Sequence, residues 1–127
     1  MNAPLFAANL AAVVLGLVLT IRAGLAGRRR AHFRRVAGTV VLLGLAILQA
    51  EVFGRGFRFD PGRLKLHLTL ATAALVLLPA VGWTGLGLAR GRLARRTHRG
   101  FVTAFVSLVG LAVLSAVWMF WNAVPVD

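Results

Sequence analysis

The sequence predicts an all-α integral membrane protein, a four-helix bundle forming one transmembrane domain over residues 1–127. Three observations carry that reading. The chain is 59% hydrophobic and only 14% charged, whereas soluble domains carry about a quarter charged residues. Its apolar residues fall into four runs of bilayer-spanning length, and the basic residues crowd into alternate connections between them.

The first span covers about residues 2–21. It has no charged leader before its apolar stretch, so it reads as a retained helix rather than a cleaved signal. Ala8, Ala12 and Gly16 recur every four residues as a smooth packing stripe, with Asn9, Gly16 and Thr20 on a neighbouring one. Arg22, Arg28, Arg29, Arg30, Arg34 and Arg35 then fill a short loop.

The second span covers about residues 36–52 and ends in Gln49 and Glu51, close enough to the far surface to be wetted. The next connection runs from Gly54 to Lys65, where Phe57 and Phe59, with Phe53 just before, are interleaved with Arg55 and Arg58 ahead of an Asp60-Pro61-Gly62 turn. Such a segment lies in the headgroup zone with rings inward and guanidiniums outward. The third span, about residues 66–89, opens with His67 and carries Pro79 in its middle, where a kink is expected. Gly82, Gly85 and Gly87 loosen its inner half. Arg90, Arg92, Arg95, Arg96 and Arg99 make the next loop. The fourth span, about residues 101–122, places Thr103, Ser107, Gly110, Ser115 and Asn122 roughly on one side and Trp118 and Trp121 at the far interface.

A net charge of +12 would point to nucleic acid in a soluble chain. Here the arginines lie between membrane-spanning runs, so the expected partner is the anionic inner leaflet of a bilayer and not nucleic acid. Eleven of the 15 basic residues sit in the first and third connections, while all three acids, Glu51, Asp60 and Asp127, fall on the opposite side. The positive-inside rule therefore predicts a multi-pass protein of the bacterial cytoplasmic membrane with both termini outside.

Residues 29–50 align on residues 95–116 without a gap, with 11 of 22 positions identical. Both segments carry an Arg-Arg-x-His flank and a Gly-Leu-Ala-x-Leu core. Two explanations fit. The chain contains two duplicated helix hairpins, or Leu, Val and Ala cores with arginine flanks converge on one composition.

With no cysteine, disulfides, thiolate metal sites and a cysteine nucleophile are excluded. No nucleophile-base pair or mid-membrane carboxylate pair can be assembled, so no enzyme is expected, and the scarcity of ionisable groups in the spans argues against an ion-coupled transporter. What remains is three histidines. His32 and His98, equivalent in the repeat, would lie at one cytoplasmic depth across a pseudo-twofold axis and could ligate haem iron or another metal. His67, at the opposite end of the third span, cannot share one metal with both. The plain alternative is that each histidine only hydrogen-bonds water and phosphate at the interface.

The segments Arg30-Ala31-His32-Phe33-Arg34-Arg35, His67-Leu68-Thr69-Leu70-Ala71 and Thr97-His98-Arg99-Gly100 resemble, in order and separation, the histidine motifs of a small four-helix bacterial membrane family. That family includes the cytochrome oxidase assembly factor CtaM. The resemblance covers roughly residues 28–120, while the chain departs from the family pattern in having no tyrosine and Val109 before Gly110. It implies a role in maturation of haem-copper oxidase, with His32, His67 and His98 as the positions that would handle haem. Two other readings stand beside it: a non-catalytic accessory subunit packed against a larger respiratory or photosynthetic electron-transfer complex, and a small b-type electron carrier.

Overall fold

A computed structural model of the chain describes residues 3–126, so Asn2 at the expected start of the first span and Asp127 lie outside the described residues. It is all-α in its main elements: α1 (Ala3–Leu25), α2 (Arg29–Gly54), α3 (Pro61–Ala89) and α4 (Arg95–Trp121). Two short strands of two residues each, β1 (Phe57–Arg58) and β2 (Val124–Pro125), follow α2 and α4. All four helices are long and apolar enough to cross a membrane, which makes this a membrane protein. The chain forms two compact units, one built on α1 and α2 and one on α3 and α4, and each is an antiparallel helix hairpin.

The helices run well past the apolar segments that announce them. Arg22 lies on α1, Arg29, Arg30, Arg34 and Arg35 lie on α2, and Arg95, Arg96 and Arg99 lie on α4, rather than in loops. Arginine is a good helix former, and its long stem carries the charge to water while the backbone stays helical. Hydropathy marks where hydrocarbon begins, not where a helix ends.

What remains of each hairpin turn is built the same way. Gly27 adopts φ +70° and Gly91 φ +68°. At the first turn, the Arg28 amide donates to the Ala23 carbonyl at 3.0 Å and the Gly27 amide to the Gly24 carbonyl at 3.2 Å. At the second, Arg92 donates to Gly87 at 2.8 Å and Gly91 to Leu88 at 3.1 Å. Both are Schellman closures, in which a left-handed glycine turns the chain back so that the last carbonyls of the helix find donors. Asp60, expected in a turn, is instead the N-cap of α3: its Oδ1 accepts from the Arg63 amide at 3.0 Å, and Pro61 occupies the first helical position. The helix continues unbroken through Pro79.

In the first hairpin α1 faces α2 through the Asn9, Gly16 and Thr20 stripe, while Ala8 is exposed. Asn9 Nδ2 donates to Gln49 Oε1 at 2.8 Å and reaches the Leu42 carbonyl at 3.4 Å, so Gln49 has a protein partner rather than only solvent. The Thr20 and Thr39 hydroxyls are 3.3 Å apart. Glu51, by contrast, is exposed and pairs with Arg55 one turn on, at 3.2 Å. Phe53 lies against Phe6 and Phe57, with ring centroids 5.5 and 5.1 Å away, while Arg55 stays exposed.

In the second hairpin Phe105, Ala112, Ser115 and Met119 of α4 are buried together with Ala74 and Thr84 of α3. Ser115 thus turns toward α3 while Thr103, Ser107, Gly110 and Asn122 are exposed, so these five do not share a face. Phe59 packs edge-on against Phe120 at 5.0 Å. Arg63 lies over the Trp118 ring at 4.4 Å and donates to the Trp118 carbonyl at 3.2 Å, one of the carbonyls the end of α4 leaves without a helical partner.

Close approach of α1 to α2 depends on Gly16, where an added Cβ would sit 2.7 Å from Thr39 Oγ1. Gly16→Ala should cost about 1–3 kcal/mol through overpacking, and Thr39→Ala in the same chain should recover part of it. Unfolding of the purified protein in mixed micelles measures both. An additive double variant would break the contact assignment.

Candidate imidazole sites

Each histidine is held by its own hairpin. His32 sits one turn into α2, and its Nδ1 lies 2.9 Å from the Thr20 carbonyl of α1. A carbonyl oxygen can only accept, so Nδ1 carries the proton and the neutral ring has its lone pair on Nε2. The ring comes this close because α1 has glycine at position 24: a Cβ there would be 3.1 Å from His32 Nδ1 and 3.2 Å from Cε1. Arg35, one turn further along α2, donates from Nη1 to the adjacent Leu19 carbonyl at 2.9 Å. Two donors of α2 thus grip consecutive carbonyls of α1.

His98 occupies the matching place in the second hairpin, but its partner is a hydroxyl. Thr84 Oγ1 donates to the Val81 carbonyl at 3.0 Å and stands 3.0 Å from His98 Nδ1. With its one proton directed to Val81, the hydroxyl accepts from His98, which again places the imidazole proton on Nδ1. Gly85 provides the clearance here, since a Cβ would meet His98 Cε1 at 3.2 Å. Thr84 is buried and His98 half-buried.

His67 lies near the start of α3 and works against the other end of α4. Its Nδ1 is 3.1 Å from the Ala112 carbonyl and 3.2 Å from Ser115 Oγ, while Ser115 donates to that same carbonyl at 2.8 Å. The carbonyl fixes Nδ1 as the donor a third time. His67 and His98 belong to the same hairpin but to opposite ends of it, so they do not meet. Among the described residues no group of three or more His, Cys, Asp or Glu side chains is placed to hold a metal ion.

The residues that position the rings were only partly visible in the sequence. Thr20, Gly85 and Ser115 stood out as packing or helix-loosening residues, and Thr84 and Gly24 did not stand out at all. Once the turn glycines are recognised the pairing follows: His32 and Thr20 lie symmetrically about residue 26, and His98 and Thr84, like His67 and Ser115, about residue 91. In an antiparallel hairpin, residues equidistant from the turn oppose one another.

Comparison with known proteins gave no matching family model, no matching curated protein and no matching solved structure. The class is set by the fold and the site: a membrane protein of two helix hairpins, each presenting tethered imidazole.

Nitrogen-15 spectra of histidine-labelled protein should show all three neutral rings as Nδ1–H tautomers. Gly24→Ala should move His32 off the Thr20 carbonyl and mix its tautomers while leaving His67 unchanged. An Nε2–H signal for His32 in the wild-type protein would contradict the assigned hydrogen bond.

Proposed function

We propose that this protein handles haem or a related metal species through its histidines and serves the maturation of a haem-copper oxidase. The observation that carries the reading is the tether. A histidine whose Nδ1–H is donated to a carbonyl or hydroxyl is oriented and keeps its lone pair on Nε2, the arrangement found behind metal-bound imidazoles. His32 and His98 stand at the Arg-rich ends of their hairpins, and His67 at the opposite end of the second.

The donor set fits haem better than a closed zinc site. Structural zinc needs four ligands, whereas haem iron takes one or two axial ones, so a single imidazole per site suffices. The exposed arginines flanking His32 and His98 match propionate carboxylates in charge. When bound, haem would supply redox-active iron. What this chain contributes is oriented imidazole, with the tautomer fixed by a carbonyl at His32 and His67, and cationic surroundings at His32 and His98.

A second reading is favoured by a different observation. Only between 6% and 11% of the apolar window of each helix is buried within the protein. Large apolar side chains such as Val41, Leu48, Val76, Trp83 and Leu114 face outward. An accessory subunit of a larger membrane electron-transfer complex would use such faces for its partners.

A reduced-minus-oxidised absorption spectrum of purified protein supplied with haem separates the two. A b-type or a-type band that weakens in His32→Ala and in His98→Ala supports haem handling. A featureless spectrum at every haem concentration, with the fold intact, supports the accessory role. Loss of haem from the oxidase in a deletion strain would extend the first result to the cell.

The orientation belongs to this reading: the Arg-rich turns in the bacterial cytoplasm, facing the anionic inner leaflet, and both termini outside. Because the chain has no cysteine, single substitutions report topology directly. In intact cells a membrane-impermeant thiol reagent should label Arg58→Cys and spare Ala26→Cys and Arg92→Cys. The reverse pattern would invert the protein.

A further inference from the structure

The Arg-rich end of the second hairpin carries a groove that the histidine chemistry does not use. It measures about 410 Å³ and is lined by Leu77 of α3 and by Arg96, Thr97, Gly100, Phe101 and Ala104 of α4. At its outer rim stand a guanidinium and a hydroxyl, and everything beyond is apolar or glycine. Arg96 to Ala104 covers nine residues, a rise of about 12 Å along the helix, so the groove runs from the Arg-rich turn into the apolar stretch of α4.

Three features define what fits. The groove is amphiphilic along its length, which a free ion would not exploit. Its floor is open, since a Cβ on Gly100 would meet no heavy atom within 4 Å. Its charge is uncompensated: α4 has no acid in its first turn and no side-chain cap over its leading amides, and among the described residues the ion pair is Glu51 with Arg55, in the other hairpin. A zwitterionic lipid would bring a cationic group to a surface with no carboxylate to receive it. An anionic head would meet guanidinium and hydroxyl donors together.

The geometry points to a binding site for one anionic phospholipid, its phosphate on Arg96 and Thr97 and an acyl chain along Leu77, Gly100, Phe101 and Ala104. The site needs no histidine, and Arg96 is the one arginine in it that also flanks His98.

Native mass spectrometry of the full-length protein, released from neutral detergent with phosphatidylglycerol or phosphatidylcholine of equal chain length, tests it. One phosphatidylglycerol should be retained per chain, favoured over phosphatidylcholine by about tenfold, the scale of one charge-assisted hydrogen bond. Arg96→Gln should abolish the preference. Arg95→Gln removes the same charge from the same turn outside the groove and should leave the preference in place. Gly100→Leu, filling the floor, should reduce retention of both lipids, and Thr97→Val should weaken the anionic preference without loss of fold. Equal losses in Arg95→Gln and Arg96→Gln would reduce the site to diffuse charge and overturn it. So would equal retention of the two lipids, or complete displacement by inorganic phosphate.

Discussion

In a membrane helix the backbone carbonyl has already accepted its helical amide, and its second lone pair is what a neighbouring helix can still use. Both hairpins are organised around that acceptor. His32 takes it at Thr20, Arg35 at Leu19, Asn9 at Leu42 and His67 at Ala112. The apolar side chains give these helices little to distinguish one register from another, because lipid is as good a solvent for leucine as a second helix is. A directed bond to one particular carbonyl does distinguish them. It requires a small residue opposite the donor, which Gly24 supplies beside His32; Gly85 and Gly16 give the same clearance to side chains that bond hydroxyls, His98 and Thr39.

The two hairpins place histidine against threonine with the same parts in slightly different spacing, through a carbonyl in the first and a hydroxyl in the second. The turn glycines Gly27 and Gly91 are 64 residues apart, as are the buried threonines Thr20 and Thr84, whereas His32 and His98 are 66 apart, as are the buried alanines Ala46 and Ala112. The second turn therefore holds two more residues than the first. A gapless comparison finds the correspondence of α2 with α4 and passes over that of α1 with α3, where the register differs and few side chains match.

How much the sequence revealed follows from which physical signal each feature leaves. Four helices and their order were legible because hydrocarbon imposes a long apolar run that nothing else produces. The exposed arginines and half-buried phenylalanines between α2 and α3 were legible because an interface sorts charge from ring. Helix ends were not, since arginine continues a helix as readily as it ends an apolar run. The partners of the histidines were not legible either. A carbonyl leaves no trace in the residue name, so nothing in the letters Thr20 or Ala112 distinguishes a residue gripped through its backbone. Ser115 shows the opposite error: counted with the other polar residues of α4, it turned out to be the one that faces inward.

The difference between a carbonyl and a hydroxyl also separates the two imidazoles in kind. The Thr20 oxygen can never donate, so His32 in its neutral form has one tautomer and a lone pair permanently on Nε2. The Thr84 hydroxyl has one proton and a rotating bond. Directed at Val81, it holds His98 as the Nδ1–H form. Rotated toward the ring it would donate to Nδ1 and move the imidazole proton to Nε2, giving up only its bond to a carbonyl that the helix already satisfies. The neutral His32 ring thus has one tautomer its partner allows, and the His98 ring has two.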